Sequence, residues 1–430
     1  MNDHFQIPAS LLAYAQKLED KTKTAYPALA PLAKQCYLNT IETTVKRCDN
    51  GDYFVITGDI PALWLRDSAA QLRPYIPLCK DDPALCEIMR GVIRRHCFYV
   101  TLDPYSNAFN ETESDKGHTA DKTDFYSGYI WERKYEVDSL CASVFLAADY
   151  LDATGDRTVY TEEFHAMLQT IADTFIKEQH HTENSSYFFH RVNCPETDTL
   201  PLNGKGNPVG YTGMTWSGFR PSDDRCKYNY LIPSNMMCVV AMKRAGKMFI
   251  DGYGDEIYAE KCRVLASEVQ KGIETYGVVD HPKYGKIYAY ETDGLGNHLL
   301  MDDANSPSLL SMPYLGYCDK TDPLYLNTRR FILSEDNPFY FVGSAAKGVG
   351  SPHTGKNMIW HISLVMQILT GTDPAEKAAC LEYLSATHAN TFFMHESFHK
   401  DDPENFTRTW FAWANALFAQ MLSTLPDEAP

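Results

Sequence analysis

Residues Ile56 to Pro77 read ITGDIPALWLRDSAAQLRPYIP. Thr57-Gly58-Asp59-Ile60-Pro61 is turn chemistry that cannot extend a helix, and Trp64, Arg66 and Asp67 stand just ahead of an amphipathic run beginning at Ser68. An aromatic ring, a guanidinium and two carboxylates, Asp59 and Asp67, therefore collect at one helix entrance. That mixture suits a polyhydroxylated ligand, because carboxylates and guanidinium hold vicinal hydroxyls in pairs while an indole face covers the apolar side of a sugar ring. Taken singly, Asp67 reads as a helix cap and Trp64 as core. It is the cluster that points to a site.

Outward from this stretch the apolar spacing is helical nearly everywhere. On the N-terminal side it predicts helices over 10–21 and 31–47. After the short helix at 68–73, stopped by Pro74, come 84–101 and then a hairpin of two helices around 137–151 and 164–175. Further helices are expected at 233–250, 255–275, 307–317, 322–333, 357–370, 374–387 and 405–425. Residues 187–192 and 195–213 look like short strands and turns. The polar segment 103–131 lacks sustained periodicity, and loops longer than about 12–15 residues are usually functional or disordered. Its aromatics, Tyr105 to Trp131, favour an ordered loop that walls a site.

Roughly a dozen helices without alternating buried strands imply an all-α fold. A closed (α/α)6 barrel, six helical hairpins in a toroid with long loops around a pocket at one end, fits that number. An open superhelix is disfavoured because no self-similar period of 20–50 residues is present. We expect a single catalytic domain over residues 1–430.

A formal charge of −17 over 430 residues argues against a phosphate-backbone partner. Hydrophobic content of 44% and aromatic content of 13% are ample for a large core. The N-terminus MNDHFQIPASLLAYAQKLEDK is too polar for a signal peptide or anchor, and no segment reaches the roughly 18 apolar residues that span a bilayer. Twelve cysteines without a CxxC pair read as buried reduced thiols in a cytoplasmic protein, which makes the sequons at Asn110, Asn184 and Asn405 chance matches.

Three further stretches bear chemistry. In Gly218-Phe219-Arg220-Pro221-Ser222-Asp223-Asp224-Arg225, adjacent carboxyls between two arginines have the means to push their proton affinities apart, although SDD also reads as the cap of a helix at Tyr228. In Phe393 to His399, HESFH matches the zinc-binding H-E-x-x-H, with Glu396 as base. The match fixes only three positions, Lys400-Asp401-Asp402-Pro403 ends any helix at once, and no third histidine follows through a glycine. Gly350 to Lys356 fits a phosphate-binding G-x-x-x-x-G-K, but Asn357 stands where magnesium needs Ser or Thr, so a loop presenting Ser351, His353 and Thr354 to sugar hydroxyls is the better reading. Asp302, Asp303, Asn305 and Ser306 lack the spacing of a calcium loop and read as pocket rim or helix cap.

The segment GDIPALWLRDSAAQLRPYIPL closely resembles the signature of glycoside hydrolase family 125, exo-acting α-1,6-mannosidases, and the resemblance runs over nearly the whole chain. It implies the (α/α)6 barrel, no metal and no cofactor, a mannose-containing oligosaccharide as substrate, and inversion at the anomeric carbon. By the same resemblance the general acid falls at Asp223, with Asp224 its competitor, and the general base at Glu396 within MHESF. His353 is then a substrate contact, joining Asp59, Trp64, Arg66 and Asp67 around the terminal mannose. A zinc peptidase built on HESFH and a non-catalytic mannoside-binding protein are the alternatives.

Overall fold

Helix-start chemistry divides ten of the longer helices into two kinds. We describe a computed structural model covering residues 6–427. Its twelve α-helices of eight or more residues are α1 (Ala9–Ala25), α2 (Ala30–Thr43), α3 (Leu65–Leu72), α4 (Pro83–Leu102), α5 (Val137–Thr154), α6 (Glu162–Glu178), α7 (Ile232–Tyr253), α8 (Glu256–Tyr276), α9 (Pro323–Ile332), α10 (His361–Thr370), α11 (Pro374–Ala386) and α12 (Ala412–Thr424). Helices α4, α6, α8, α9 and α11 start at Asp82, Thr161, Asp255, Asp322 and Asp373, whose side chains accept from backbone N–H groups of the first turn. Such a cap contributes about 1 kcal/mol.

Helices α3, α5, α7, α10 and α12 start instead from extended residues, Trp64, Glu136, Leu231, Trp360 and Phe411, with no side-chain cap. These five form one packed row, in which α3 touches α5 and α12, α5 touches α7, and α12 touches α10. Four of the capped helices lie against them: α8 on α7, α11 on α10, and α4 and α6 on α5. Partner strands, not side-chain caps, thus set the entry of three helices in the row. β1 (Leu63–Trp64) runs into α3 and pairs with β2 (Ala108–Phe109), which also pairs with β3 (Ile130–Glu132). β4 (Tyr230–Leu231) runs into α7 beside β5 (Glu291–Thr292), itself paired with β6 (His298–Leu299). β7 (Met358–Trp360) runs into α10 beside β8 (Ser397–His399), which pairs with β9 (Asp402–Thr407).

The molecule is mostly helical, as the periodicity indicates, yet the described residues also form seven small sheets that an all-α reading omits. Three expected helices begin or end in strands. Val45–Arg47 leaves α2 to pair with Tyr53–Val55, the expected 357–370 helix opens as β7, and the expected 405–425 helix opens as β9. The expected helix at 307–317 is a run of turns: Pro307, Pro313 and Gly316 oppose a helix, and the Asp302 carboxylate takes the N–H groups of Leu309 and Leu310 at 2.9 and 3.0 Å. One apolar core holds residues from Leu11 through Leu422.

Two neighbours in the row, α3 and α12, are stitched by backbone at their entrances. Gly58 bridges Phe411 antiparallel, Asp59 N–H donates to Trp410 O at 3.2 Å, and Ala412 N–H donates to Thr57 O at 3.1 Å. Gly58 has φ +131°, and a Cβ there would lie 2.4 Å from Trp410 O. We expect Gly58→Ala to cost about 1–3 kcal/mol, read as a lower denaturant midpoint with an unchanged slope. An unchanged midpoint would show that residues 57–59 and 410–412 separate freely.

Candidate active site

Trp64, Arg66 and Asp67 enter the pocket because β1 delivers the chain to α3 there. The pocket has a volume of about 270 Å³, and its walls include these three residues, Ser222, Asp223, His353, Glu396 and Arg408. Arg66 is 5% exposed and meets Glu136 at 2.5 Å and Asp138 at 3.0 Å through Nη1, Asp223 at 3.6 Å through Nη2 and Asp67 at 3.8 Å through Nε. One guanidinium thus serves four carboxyl groups. Burial pushes the Asp67 carboxyl up to about 6 against the pull of Arg66 and Arg408. Burial likewise pushes Glu136 well above the usual carboxylate range, with Arg66 opposing and Asp223 and Asp138 adding to it. Asp223 goes the other way: burial raises it, but Arg66, Lys134 and a hydrogen bond with Glu136 together hold it low.

Asp223 sits in a tight turn, with its N–H donating to Arg220 O at 2.9 Å and Arg220 N–H donating to Asp224 O at 2.8 Å, while Phe219 bridges Arg225. Its φ of +66° is left-handed, a conformation that Asp tolerates better than most residues. No helix starts at Tyr228, so the capping reading of SDD fails. The turn also separates the two aspartates: Asp223 lines the pocket, while Asp224 is 4% exposed and turns to His353 Nδ1 at 3.2 Å. The expected flanking arginines do not act on the pair. Arg220 is buried on Glu291 at 2.6 Å, and Arg225 pairs with Glu196. Arg66 and the Lys134 ammonium, which donates to Asp223 O at 2.8 Å, take their place. Ser222 and Asn305 anchor the turn, through Asp303 at 3.1 Å and Pro221 O at 2.8 Å, so the rim reading of the 302–306 stretch holds for Asn305.

Across the pocket, Glu396 precedes β8 and accepts from Thr407 Oγ1 at 2.9 Å, with Arg408 Nη1 at 3.7 Å. HESFH is extended, so its histidines do not share a helix face. Both ring nitrogens of His395 are engaged, with Arg408 O at 3.0 Å and Thr391 Oγ1 at 2.9 Å, and the ring stacks on Phe406. Among the described residues no three His, Cys, Asp or Glu side chains are grouped to hold a metal. The glycine-rich loop near Gly350 follows a strand hairpin, and the chain enters β7 after Asn357, so no helix N-terminus is available for a phosphate.

A model of the metal-independent α-mannosidases, glycoside hydrolase family 125, matches residues 26–423. The chain belongs to this family. The meiotically up-regulated gene 157 protein of Schizosaccharomyces pombe is 39% identical over 437 residues, covering 96% of this chain and 86% of that one. A metal-independent α-mannosidase of Streptococcus pneumoniae, solved as a non-productive complex with α-1,6-mannobiose, is 44% identical with a TM-score of 0.93, covering 96% of this chain and 97% of its own. A bacterial glucoamylase solved with acarbose shares the fold at 14% identity, with a TM-score of 0.58 over 98% of this chain and 58% of that one.

For a family 125 enzyme the pocket is completed by residues that sequence reasoning passed over. Arg408 holds φ +51°, lines the pocket and is gripped by Asp59, whose Oδ1 accepts from Nε at 2.9 Å. Asp59 itself is outside the lining and meets the pocket only through its grip on Arg408. Trp360, Phe411 and Trp413 add aromatic wall, the last two ring pairs meeting edge to face at 6.4 and 6.3 Å. A signal was present in Trp410-Phe411-Ala412-Trp413, three aromatics in four residues at a helix start, the same pattern that marks Trp64. The 103–131 loop is not in the pocket lining. It contributes Asn107, whose amide donates to Asp223 Oδ1 at 3.1 Å, and the β2 segment behind Trp64.

His353 loses from burial but gains more from the hydrogen bond and charge of Asp224 and from Glu396 and Asp223, and rises to about 9. Its side chain is 38% exposed, so water tempers the effect. With the folded value raised above the unfolded one near 6.5, its contribution is complete below pH 6.5 and disappears as pH climbs through 9. Urea stability of the wild type should therefore fall between pH 6.5 and 9 more steeply than that of His353→Gln. Parallel profiles would mean that the imidazole is uncharged in the pocket.

Proposed function

We propose that this chain is an exo-acting α-1,6-mannosidase that hydrolyses with inversion, using Asp223 as general acid and Glu396 as general base. The observation that carries this reading is that the two carboxyls, remote in sequence, face one pocket with Arg66, Asp67, His353 and Arg408 between aromatic walls. Asp223 protonates the glycosidic oxygen as its bond to the anomeric carbon breaks. Glu396, oriented by Thr407, takes a proton from the water that attacks from the opposite face. A binding protein has no need of this carboxyl pair. The α-1,6 linkage is supported by the mannobiose bound in the Streptococcus pneumoniae relative.

The reading includes a closed (α/α)6 barrel forming one domain over the whole chain. Support comes from an apolar cavity beneath the pocket, bounded by α3 (Ala69), α5 (Ala142), α7 (Met237), the 307–317 turns (Leu315), α10 (Met366) and α12 (Leu417). Those turns then supply the sixth inner element. We place the enzyme in the cytoplasm. Its twelve cysteines are all free thiols, most of them buried, and no helix among the described residues is long and apolar enough to cross a membrane.

Hydrolysis of α-1,6-mannobiose followed by proton NMR should release β-mannose before mutarotation, at a rate unchanged by EDTA. Release of α-mannose would make a carboxylate the nucleophile, and loss of activity on chelation would restore a metal. Asp223→Asn and Glu396→Gln should each lower kcat about 10²–10⁴-fold with mannose binding retained by calorimetry. Near-normal turnover in either would remove that residue from the pair.

A further inference from the structure

A general acid must carry its proton into the reaction, yet Asp223 stands beside Arg66 and Lys134, which favour its ionised form. The proton is held beside it by Glu136, the extended residue at the start of α5, whose carboxyl burial pushes well above the usual carboxylate range. Asn107 Nδ2 reaches Asp223 Oδ1 at 3.1 Å and Glu136 Oε1 at 3.3 Å, and the two carboxyls are themselves hydrogen-bonded. Two carboxylates cannot share a hydrogen bond without a proton, so the contact requires one of them to be an acid. Glu136 is 1% exposed and fixed on its far side by Arg66 and by Ser139 Oγ at 2.8 Å, which leaves Asp223 as the partner open to the pocket.

We propose that Glu136 is a positioning residue for the general acid: Glu136 and Asp223 hold one proton between them, and a mannoside in the pocket draws that proton onto Asp223. This rests on Asp223 being the acid. In the open pocket the Asp223 side chain is 27% exposed to water, which stabilises its charge. A sugar that covers it removes this water, while Glu136 keeps the charge-assisted contact with Arg66 at 2.5 Å, so the proton moves from Glu136 to Asp223. On bond cleavage the electron pair of the C–O bond stays on the leaving oxygen, which takes the Asp223 proton. The water that forms the new bond gives its proton to Glu396. Exchange with solvent then returns one proton to the Asp223–Glu136 pair and removes one from Glu396.

The groups facing the pair are Arg66 and Asp67 from α3, Asp138 from α5, Lys134 ahead of it and His353 across the pocket. Glu132 shares the Asn107 amide at 3.1 Å, and Cys226 nearby is held as a neutral thiol by burial. Glu136→Gln removes the shared proton and also the charge nearest Arg66, so the difference between two substrates, and not the loss of activity by itself, reads the proton.

The test compares α-1,6-mannobiose, whose leaving group needs a proton, with α-mannosyl fluoride, whose leaving group does not. Glu136→Gln should lose roughly 10²-fold or more in kcat on mannobiose, keep fluoride hydrolysis within about threefold, and shift the basic limb of its kcat/KM profile to lower pH. Asp223→Asn, run alongside, should show the same selectivity. If Asp223→Asn loses both substrates equally, Asp223 is not the acid and the reading beneath this proposal fails. If Asp223→Asn behaves as an acid variant while Glu136→Gln loses both substrates equally, or retains mannobiose activity with an unshifted profile, the shared proton is refuted. Should the Gln variant not fold, Glu136→Asp keeps the charge but withdraws it by one methylene, and the same selectivity and shift are required of it.

Discussion

The Arg66 guanidinium is the interaction around which this molecule is arranged. A cation that is 5% exposed is tolerable only with close partners, and Arg66 has Glu136 and Asp138 from the start of α5, Asp67 from its own helix and Asp223 from the turn. Removing one partner from a buried pair costs about 3–5 kcal/mol because the other charge is stranded. The cluster therefore holds α3, α5 and the Asp223 turn to one geometry. Trp413 contributes a ring 5.9 Å from the guanidinium, which brings α12 into the same arrangement. Carboxyls outnumber cations here, and burial raises Asp67, Glu136 and Asp138 while Asp223 is held low, so the cluster that fixes the fold locally also pushes the proton affinities of its members apart.

The uncapped starts of α3, α5, α7, α10 and α12 explain why the chemistry collects at one end. A helix N-terminus offers unpaired N–H groups and partial positive charge. Capping them with Asp or Thr, as at α4, α6, α8, α9 and α11, makes a surface end. Leading the chain in through a short strand, as at Trp64, Leu231 and Trp360, makes an end that faces inward and carries side chains from both strand and helix. The pocket residues Trp64, Arg66 and Asp67, and likewise Phe411 and Trp413, straddle such junctions. Asp223 and Arg408 meet the pocket from turns with positive φ, where a regular strand or helix would aim them elsewhere.

Much of this was legible in the chain. Long helices with a clear apolar stripe, such as α5, α6, α7 and α8, follow from periodicity because each buries one face in a continuous core. The Trp64-Arg66-Asp67 cluster was visible because turn residues, an aromatic ring and charges are adjacent in sequence. Glu396 and Asp223 stood out within short polar segments, and the family pattern gave them roles. Helix starts near 357 and 405 were misplaced because a two- or three-residue strand that pairs with a distant segment leaves no periodic trace. The turns at 307–317 look helical until Asp302 claims their N–H groups.

By itself, then, the sequence determined the mostly helical class, the helix ends marked by Asp-Pro caps, the family, and the residue types available for glycoside chemistry, since all of these reside in local spacing and composition. Tertiary structure alone decided that Asp223 and not Asp224 meets the pocket, that Asp59 reaches it through Arg408, that Trp360, Phe411 and Trp413 close the wall, and that Glu136 sits against Asp223. Each of those outcomes depends on which distant charge or backbone group a side chain meets after folding. Proton affinity, burial and direction are properties of those meetings, and no local pattern in the chain encodes them.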